Sequence, residues 1–136
     1  MADDEKKKTI LLVDDDETHL LIAKSMLKQN YNTVVVKSGN EAMDLFVKGF
    51  FPNLVLLDIL MPNMDGWETY HQLKGISLLK DVPIAFLTSE NNTMEEKRAY
   101  EMGAVDYIMK PYDKADLLRR IERIFQNAEY SPEFDT

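Results

Sequence analysis

Residues 54–66 read Leu-Val-Leu-Leu-Asp-Ile-Leu-Met-Pro-Asn-Met-Asp-Gly, and this stretch decides the fold. Its first four residues are all apolar, a run that predicts a β-strand covered on both faces, as in a parallel α/β sheet. The run ends at Asp58, which we therefore expect at the carboxyl end of a strand, where open α/β sheets place their chemistry. Pro62 blocks continuation of a helix, and Asp65-Gly66 supplies turn residues before the next helical pattern.

Four other runs rich in apolar and β-branched residues predict further strands around this central one, at residues 9–13, 33–36, 84–87 and 105–109. Helical spacing of apolar residues fills the segments between them. The predicted N-caps are Asp16, Ser38 with Glu41, Asp65 with Glu68, Thr93 with Glu96, and Asp113. Five strands alternating with five helices predict an α/β fold, a doubly wound parallel sheet with helices on both faces in three layers.

Composition favours one globular domain and excludes several classes of function. The chain has 136 residues, no cysteine and a net charge of −8. That charge disfavours nucleic-acid binding, and the lack of cysteine rules out disulfides and fits a reducing compartment. There is no signal peptide and no apolar run near 18 residues, so we expect a cytoplasmic protein without a membrane span. Residues 1–8 are predicted to be a disordered leader, and residues 127–136 a flexible tail.

The unusual polar residues all fall at predicted strand ends: Asp14, Asp15, Asp58, Thr88 and Lys110. Carboxylates that meet at one sheet edge repel each other, and a hard divalent cation such as Mg²⁺ relieves that repulsion. A metal, a lysine and a hydroxyl around one carboxylate can stabilise the oxygens of a transferring phosphoryl group. Asp58 would then be the nucleophile that forms an acyl phosphate.

The same residues also have simpler interpretations, and two other functions are alternatives to a phosphoacceptor site. An acidic triplet is commonly a helix cap or a solvated turn, and Lys-Pro and Thr-Ser pairs are common in loops. A phosphatase of the haloacid-dehalogenase type needs a second acid two residues after its nucleophile, where this chain has Leu60. A flavin-binding protein is disfavoured because no Gly- or Ser/Thr-rich phosphate loop follows the first strand.

Four motifs in order, at residues 10–16, 57–66, 86–89 and 103–111, resemble the receiver domain of two-component response regulators. The resemblance covers about residues 9–126 and implies a flavodoxin-like fold. It implies that Asp58 takes a phosphoryl group from the phosphohistidine of a kinase. It also implies that Mg²⁺ is held by Asp14, Asp15, Asp58 and the Leu60 backbone carbonyl. Thr88 and Lys110 would contact the phosphoryl oxygens. Tyr107 would be the rotating switch residue.

The resemblance further implies partners and a way of tuning the signal. The donor would be a sensor histidine kinase or a histidine phosphotransfer protein. A downstream protein, or a second copy of the chain, would bind the face made by the fourth helix, fifth strand and last helix. Leu60 and Glu90 would flank the path of the water that removes the phosphoryl group. We expect a stand-alone signalling domain rather than an enzyme; the alternative is a receiver excised from a larger kinase or regulator.

Overall fold

The computed structural model describes residues 7–90 and 92–129. Its strands are β1 (Thr9–Val13), β2 (Asn32–Val36), β3 (Leu54–Asp58), β4 (Ile84–Thr88) and β5 (Asp106–Met109). Its helices are α1 (Glu17–Leu27), α2 (Gly39–Val47), α3 (Gly66–Lys74), α4 (Thr93–Met102) and α5 (Lys114–Glu129), with a 3₁₀ turn at Ser77–Leu79. All strand pairs are parallel and the sheet order is β2-β1-β3-β4-β5. The predicted five-stranded doubly wound fold is confirmed.

The central strand β3 is buried at every position because helices cover both faces of the sheet. Leu54 and Leu56 pack with residues of α1 and α5 in one core cluster. Val55 and Leu57 pack on the other face with residues of α2, α3 and α4. Successive side chains of a strand point to opposite faces, so one unbroken apolar run supplies both cores.

Helix starts follow local side-chain chemistry, and four of the five predicted caps are confirmed. Asp16, Ser38, Asp65 and Asp113 each accept a hydrogen bond from an amide in the first turn of their helix. The predicted Thr93–Glu96 capping box of α4 is wrong. Asn92 is the N-cap, because its Oδ1 accepts from the Met94 and Glu95 amides at 3.0 Å each and leaves Thr93 inside the helix.

The last helix is longer than the apolar pattern indicates. Helix α5 continues to Glu129, so residues 127–129 of the predicted tail are helical. Once a helix is formed, each further residue adds a backbone hydrogen bond, so the helix can extend beyond the last residue of its apolar stripe. The rest of the predicted tail, and residues 1–6 of the predicted leader, lie outside the described residues. No helix within residues 7–90 and 92–129 has the length and apolar character required to cross a bilayer.

A close backbone contact fixes the start of α3 against the end of β3. The Gly66 amide donates to the Ile59 carbonyl at 2.8 Å. A Cβ atom on Gly66 would collide with the Asp58 carbonyl oxygen and the Ile59 Cα. Glycine is therefore required here. Because it has no Cβ atom, the loop that follows Asp58 can fold back tightly onto the strand.

Candidate functional site

Two buried carboxylates meet because β1 and β3 are neighbours in the sheet. Val13 pairs in register with Leu57, so the residues that follow, Asp14 and Asp58, lie side by side. Asp14 is 1% exposed and Asp58 is 6% exposed, whereas Asp15 is exposed. The three residues each offer a carboxylate oxygen, and these oxygens lie within 4.8 Å of one another. The predicted convergence of acids at this edge is confirmed.

The Asp14 carboxylate is held in place by the turn that follows it. Its Oδ1 atom accepts a hydrogen bond from the Asp16 amide at 2.9 Å. Its own amide donates to the Val36 carbonyl at 3.2 Å, which extends the pairing of β1 with β2. The other oxygen of Asp14, Oδ2, is therefore available to contact residues at the ends of other strands.

Lys110 is brought to the same place from the end of β5. Its amide donates to the Thr88 carbonyl at 2.7 Å, which aligns the loop after β5 with the end of β4. Its Nζ atom lies 2.6 Å from Asp14 Oδ2 and 3.4 Å from Asp58 Oδ1. The Lys110 side chain is only 7% exposed. One ammonium group therefore serves two buried carboxylates.

The electrostatic balance of this cluster is unfavourable to ionised Asp58. Burial, and then the charge of Asp14, raise the pKa of Asp58 to about 7, although Lys110 acts in the opposite direction. Three carboxylates face a single lysine, and their oxygens are the ligands that Mg²⁺ prefers. The donor set and its uncompensated charge therefore fit a divalent cation.

Thr88 and Tyr107 lie beside this cluster and connect it to α4. Thr88 is 2% exposed, and its hydroxyl accepts from the Glu90 amide at 3.1 Å and donates to the Glu90 carbonyl at 3.4 Å. Tyr107 is 5% exposed, and its hydroxyl lies 3.0 Å from Glu95 Oε1 and 3.4 Å from the Glu90 carbonyl. The ring of Tyr107 is thus buried in this structure while Thr88 is bonded to Glu90.

The cluster opens to solvent through a cleft of about 300 Å³, which is lined by Asp14, Asp15, Asp16, His19, Asp58, Leu60, Ser89 and Lys110. Leu60 lies at its rim and is 56% exposed. Glu90 is exposed next to Ser89. Leu60 therefore borders the cleft at Asp58, whereas Glu90 is exposed but does not line that cleft.

Two residues near the site carry features that the sequence patterns did not reveal. The Nδ1 atom of His19 lies 3.0 Å from Lys110 Nζ. Tyr112 has a buried hydroxyl for which the described part of the chain provides no hydrogen-bond partner. Helical spacing places His19 in the first turn of α1, but it says nothing about which strand end that turn faces.

The sequence from residue 10 to 122 matches the model of the response regulator receiver domain family. The chain belongs to that family. It is 34% identical over 106 residues to the two-component response regulator ORR6 of Oryza sativa subsp. japonica, which covers 76% of this chain and 62% of the relative. The chain spans between 23% and 62% of the length of the first curated relatives it matches.

Solved structures of receiver domains have the same fold. A CheY-like receiver domain protein from Methanospirillum hungatei superposes with a TM-score of 0.81 at 29% identity, covering 91% of this chain and 98% of that one. The receiver domain of a signal transduction histidine kinase from Syntrophus aciditrophicus gives a TM-score of 0.79 at 32% identity, with 91% and 94% covered. Receiver domains typically bind Mg²⁺ at an acidic cluster, and this receiver domain has such a cluster at Asp14, Asp15 and Asp58.

Proposed function

We propose that this receiver domain accepts a phosphoryl group on Asp58 from the phosphohistidine of a sensor histidine kinase or a histidine phosphotransfer protein. The observation that carries the proposal is the convergence of three carboxylates and one buried lysine at the carboxyl edge of the sheet. Asp14, Asp15, Asp58 and the Leu60 backbone carbonyl would hold Mg²⁺. The cation, when bound, supplies positive charge to the carboxylates and to the phosphoryl oxygens.

The transfer is an in-line displacement at phosphorus. An Asp58 oxygen forms the new P–O bond while the P–N bond to the donor histidine breaks and its electron pair stays on the histidine nitrogen. Lys110 already lies 3.4 Å from Asp58 Oδ1, so a small movement brings its ammonium to a phosphoryl oxygen. Thr88 would contact a second oxygen after leaving Glu90. These groups would stabilise the negative charge that develops on the phosphoryl oxygens.

We also propose that the signal leaves through α4, β5 and α5. The chain of contacts from Thr88 through Glu90 and Tyr107 to Glu95 joins the acceptor site to the first turn of α4. Large side chains are exposed on this face, including Tyr100 at 45% and Val105 at 43%. A downstream protein or a second copy of the chain would bind there. A cytoplasmic location and a role without substrate turnover stay predictions.

Labelling with a small phosphodonor tests the acceptor directly. Incubation with acetyl phosphate and Mg²⁺ should add one phosphoryl group to the wild-type chain, as detected by intact mass. Asp58→Asn should not be labelled, because it removes the nucleophilic oxygen. Asp15→Asn should need a higher Mg²⁺ concentration. Asp44→Asn, an exposed position on α2, serves as the control and should be labelled like the wild type.

Undiminished labelling of Asp58→Asn would remove Asp58 from the acceptor role. The same labelling with a chelator present would remove the metal from the mechanism.

A further inference from the structure

Among the described residues, the Lys110 ammonium has three close polar neighbours, and one of them is a histidine. Its Nζ atom lies 2.6 Å from Asp14 Oδ2, 3.0 Å from His19 Nδ1 and 3.4 Å from Asp58 Oδ1. An ammonium group has three N–H donors and no acceptor. The three neighbours therefore match its three donors, and His19 provides the only uncharged acceptor among them.

The orientation of His19 follows from the turn that starts α1. The His19 amide donates to the N-cap oxygen Asp16 Oδ1 at 3.0 Å, and its Nε2 atom lies 3.7 Å from Asp16 Oδ2. Because Lys110 can only donate, the lone pair of the imidazole is at Nδ1 and the ring proton is at Nε2, on the side of Asp16. The acid that caps α1 thus also faces the protonated edge of the ring.

Asp14 has two roles in the proposed function that compete with each other. It is the nearest partner of Lys110, and it is also a proposed ligand of the cation. A carboxylate that shares its charge with a cation attracts a lysine less strongly. His19 does not compete in this way, because Mg²⁺ prefers oxygen ligands to imidazole nitrogen. The contact between His19 and Lys110 can therefore persist in the state that accepts the phosphoryl group.

We propose that His19 is a positioning residue for phosphoryl transfer, which acts by holding the Lys110 ammonium beside Asp58 through its Nδ1 atom. This inference rests on the proposed function, since Lys110 matters for transfer only if Asp58 is the acceptor. In this proposal His19 acts on the position of Lys110 and not on the phosphoryl group itself. The chemistry required at this position is a neutral acceptor at the place of Nδ1.

Substitutions at position 19 separate the acceptor atom from the ring. His19→Ala removes the acceptor, whereas His19→Asn keeps an amide oxygen near the place of Nδ1. The rate of labelling by acetyl phosphate at saturating Mg²⁺ should fall about three- to tenfold in His19→Ala, as expected for the loss of one hydrogen bond of ordinary net strength. His19→Asn should retain most of the rate. Mg²⁺ affinity, measured by calorimetry, should change less than about twofold in both, because His19 is not a ligand.

His71 offers a matched control, because it is exposed on α3. His71→Ala should be labelled like the wild type. A second readout does not depend on phosphorylation. In ¹⁵N spectra of the wild type, Nδ1 of His19 should be the unprotonated nitrogen, because it accepts from Lys110.

Each result has one meaning. If the wild type is not labelled at all, the proposed function fails. If the wild type is labelled and His19→Ala reacts at the same rate, the function stands and His19 has no positioning role. A loss in His19→Asn as large as in His19→Ala would show that the ring only packs, and a protonated Nδ1 in the spectra would also overturn the inference.

Discussion

Asp58 and Asp106 are two buried carboxylates at opposite ends of the parallel strands of one sheet. Asp106, at the start of β5, is 9% exposed and has matched partners. Arg120 Nη1 donates to both of its oxygens at 2.9 and 3.1 Å, and the Tyr100 hydroxyl and the Tyr107 amide donate at 3.2 and 2.8 Å. Asp58, at the end of β3, is as deeply buried, but among the described residues Lys110 is the one cation that pairs with its carboxylate, at 3.4 Å, and that lysine is closer to Asp14.

The difference shows how the same residue type serves structure in one place and chemistry in another. A buried carboxylate with an arginine and several N–H and O–H donors is satisfied in its ionised form. The Asp106 cluster accordingly ties β5, α4 and α5 together. Asp58 has no such set of donors within the described ranges, and burial and the charge of Asp14 raise its pKa. Local rules of stability are commonly broken where a site has a function.

The largest effect that tests this comparison is a gain of stability on removing Asp58. The pKa of Asp58 is raised from 3.8 to about 7, so the folded state binds its proton more tightly than the unfolded state does. The stability that protonation provides is complete below about pH 4 and is lost as the pH rises to about 7. With chelator present, Asp58→Asn should therefore raise the free energy of unfolding by about 2–4 kcal/mol at about pH 8. A shift of about three pKa units at about 1.4 kcal/mol each sets the upper limit, and screening by solvent in the open cleft reduces it.

Denaturant unfolding at two pH values provides the control for this prediction. The gain should nearly vanish at about pH 4, where Asp58 of the wild type is protonated. A gain of the same size at both pH values would mean that the substitution acts through packing, and the contrast between the two carboxylates would lose its electrostatic basis.

A smaller effect of opposite sign is expected at the Asp106 cluster. Arg120→Ala leaves a buried carboxylate without its cation and should lower the free energy of unfolding by about 2 kcal/mol. Arg119→Ala is the matched control. Arg119 is adjacent in the sequence, and within the described part of the chain it pairs only with Asp116 at the surface, so its loss should cost less than about 0.5 kcal/mol. Equal losses in the two variants would show that Asp106 does not depend on Arg120.

The smallest effect concerns the access of water to the Asp58 carboxylate. The cleft at Asp58 opens to solvent beside Leu60. Leu60 offers no hydrogen bond to a water in line with phosphorus, and Leu60→Asn supplies one. Loss of the phosphoryl group should then become several-fold to about tenfold faster, the equivalent of about 1 kcal/mol, as followed by decay of the labelled mass. Mg²⁺ affinity should stay unchanged, because the proposed ligand is the backbone carbonyl. An unchanged or slower decay would show that Leu60 does not shield the site.

The sequence determined the strands and helices, and the residue types at the carboxyl edge of the sheet, where Asp58 lies. The unbroken apolar run before Asp58 requires a strand with two covered faces, and alternation with helices requires a parallel sheet. Parallel strands all end at one edge, so acids that follow two of these strands must meet wherever the strands are neighbours. This is why Asp14, Asp15, Asp58 and Lys110 could be selected from local patterns alone.

Tertiary structure decided the pairings. The contacts of Lys110 with Asp14 and of Lys110 with His19 join residues separated by 96 and 91 positions, and they exist because of the order in which strands and helices are placed around β3. The Asp106–Arg120 contact depends likewise on how α5 packs beside β5. Periodicity reports which face of an element is apolar, but it contains no information on which polar side chains of other elements will face each other. That depends on sheet order and helix packing, and it determines whether a buried carboxylate is matched, as Asp106 is, or left in need of a cation, as Asp58 is.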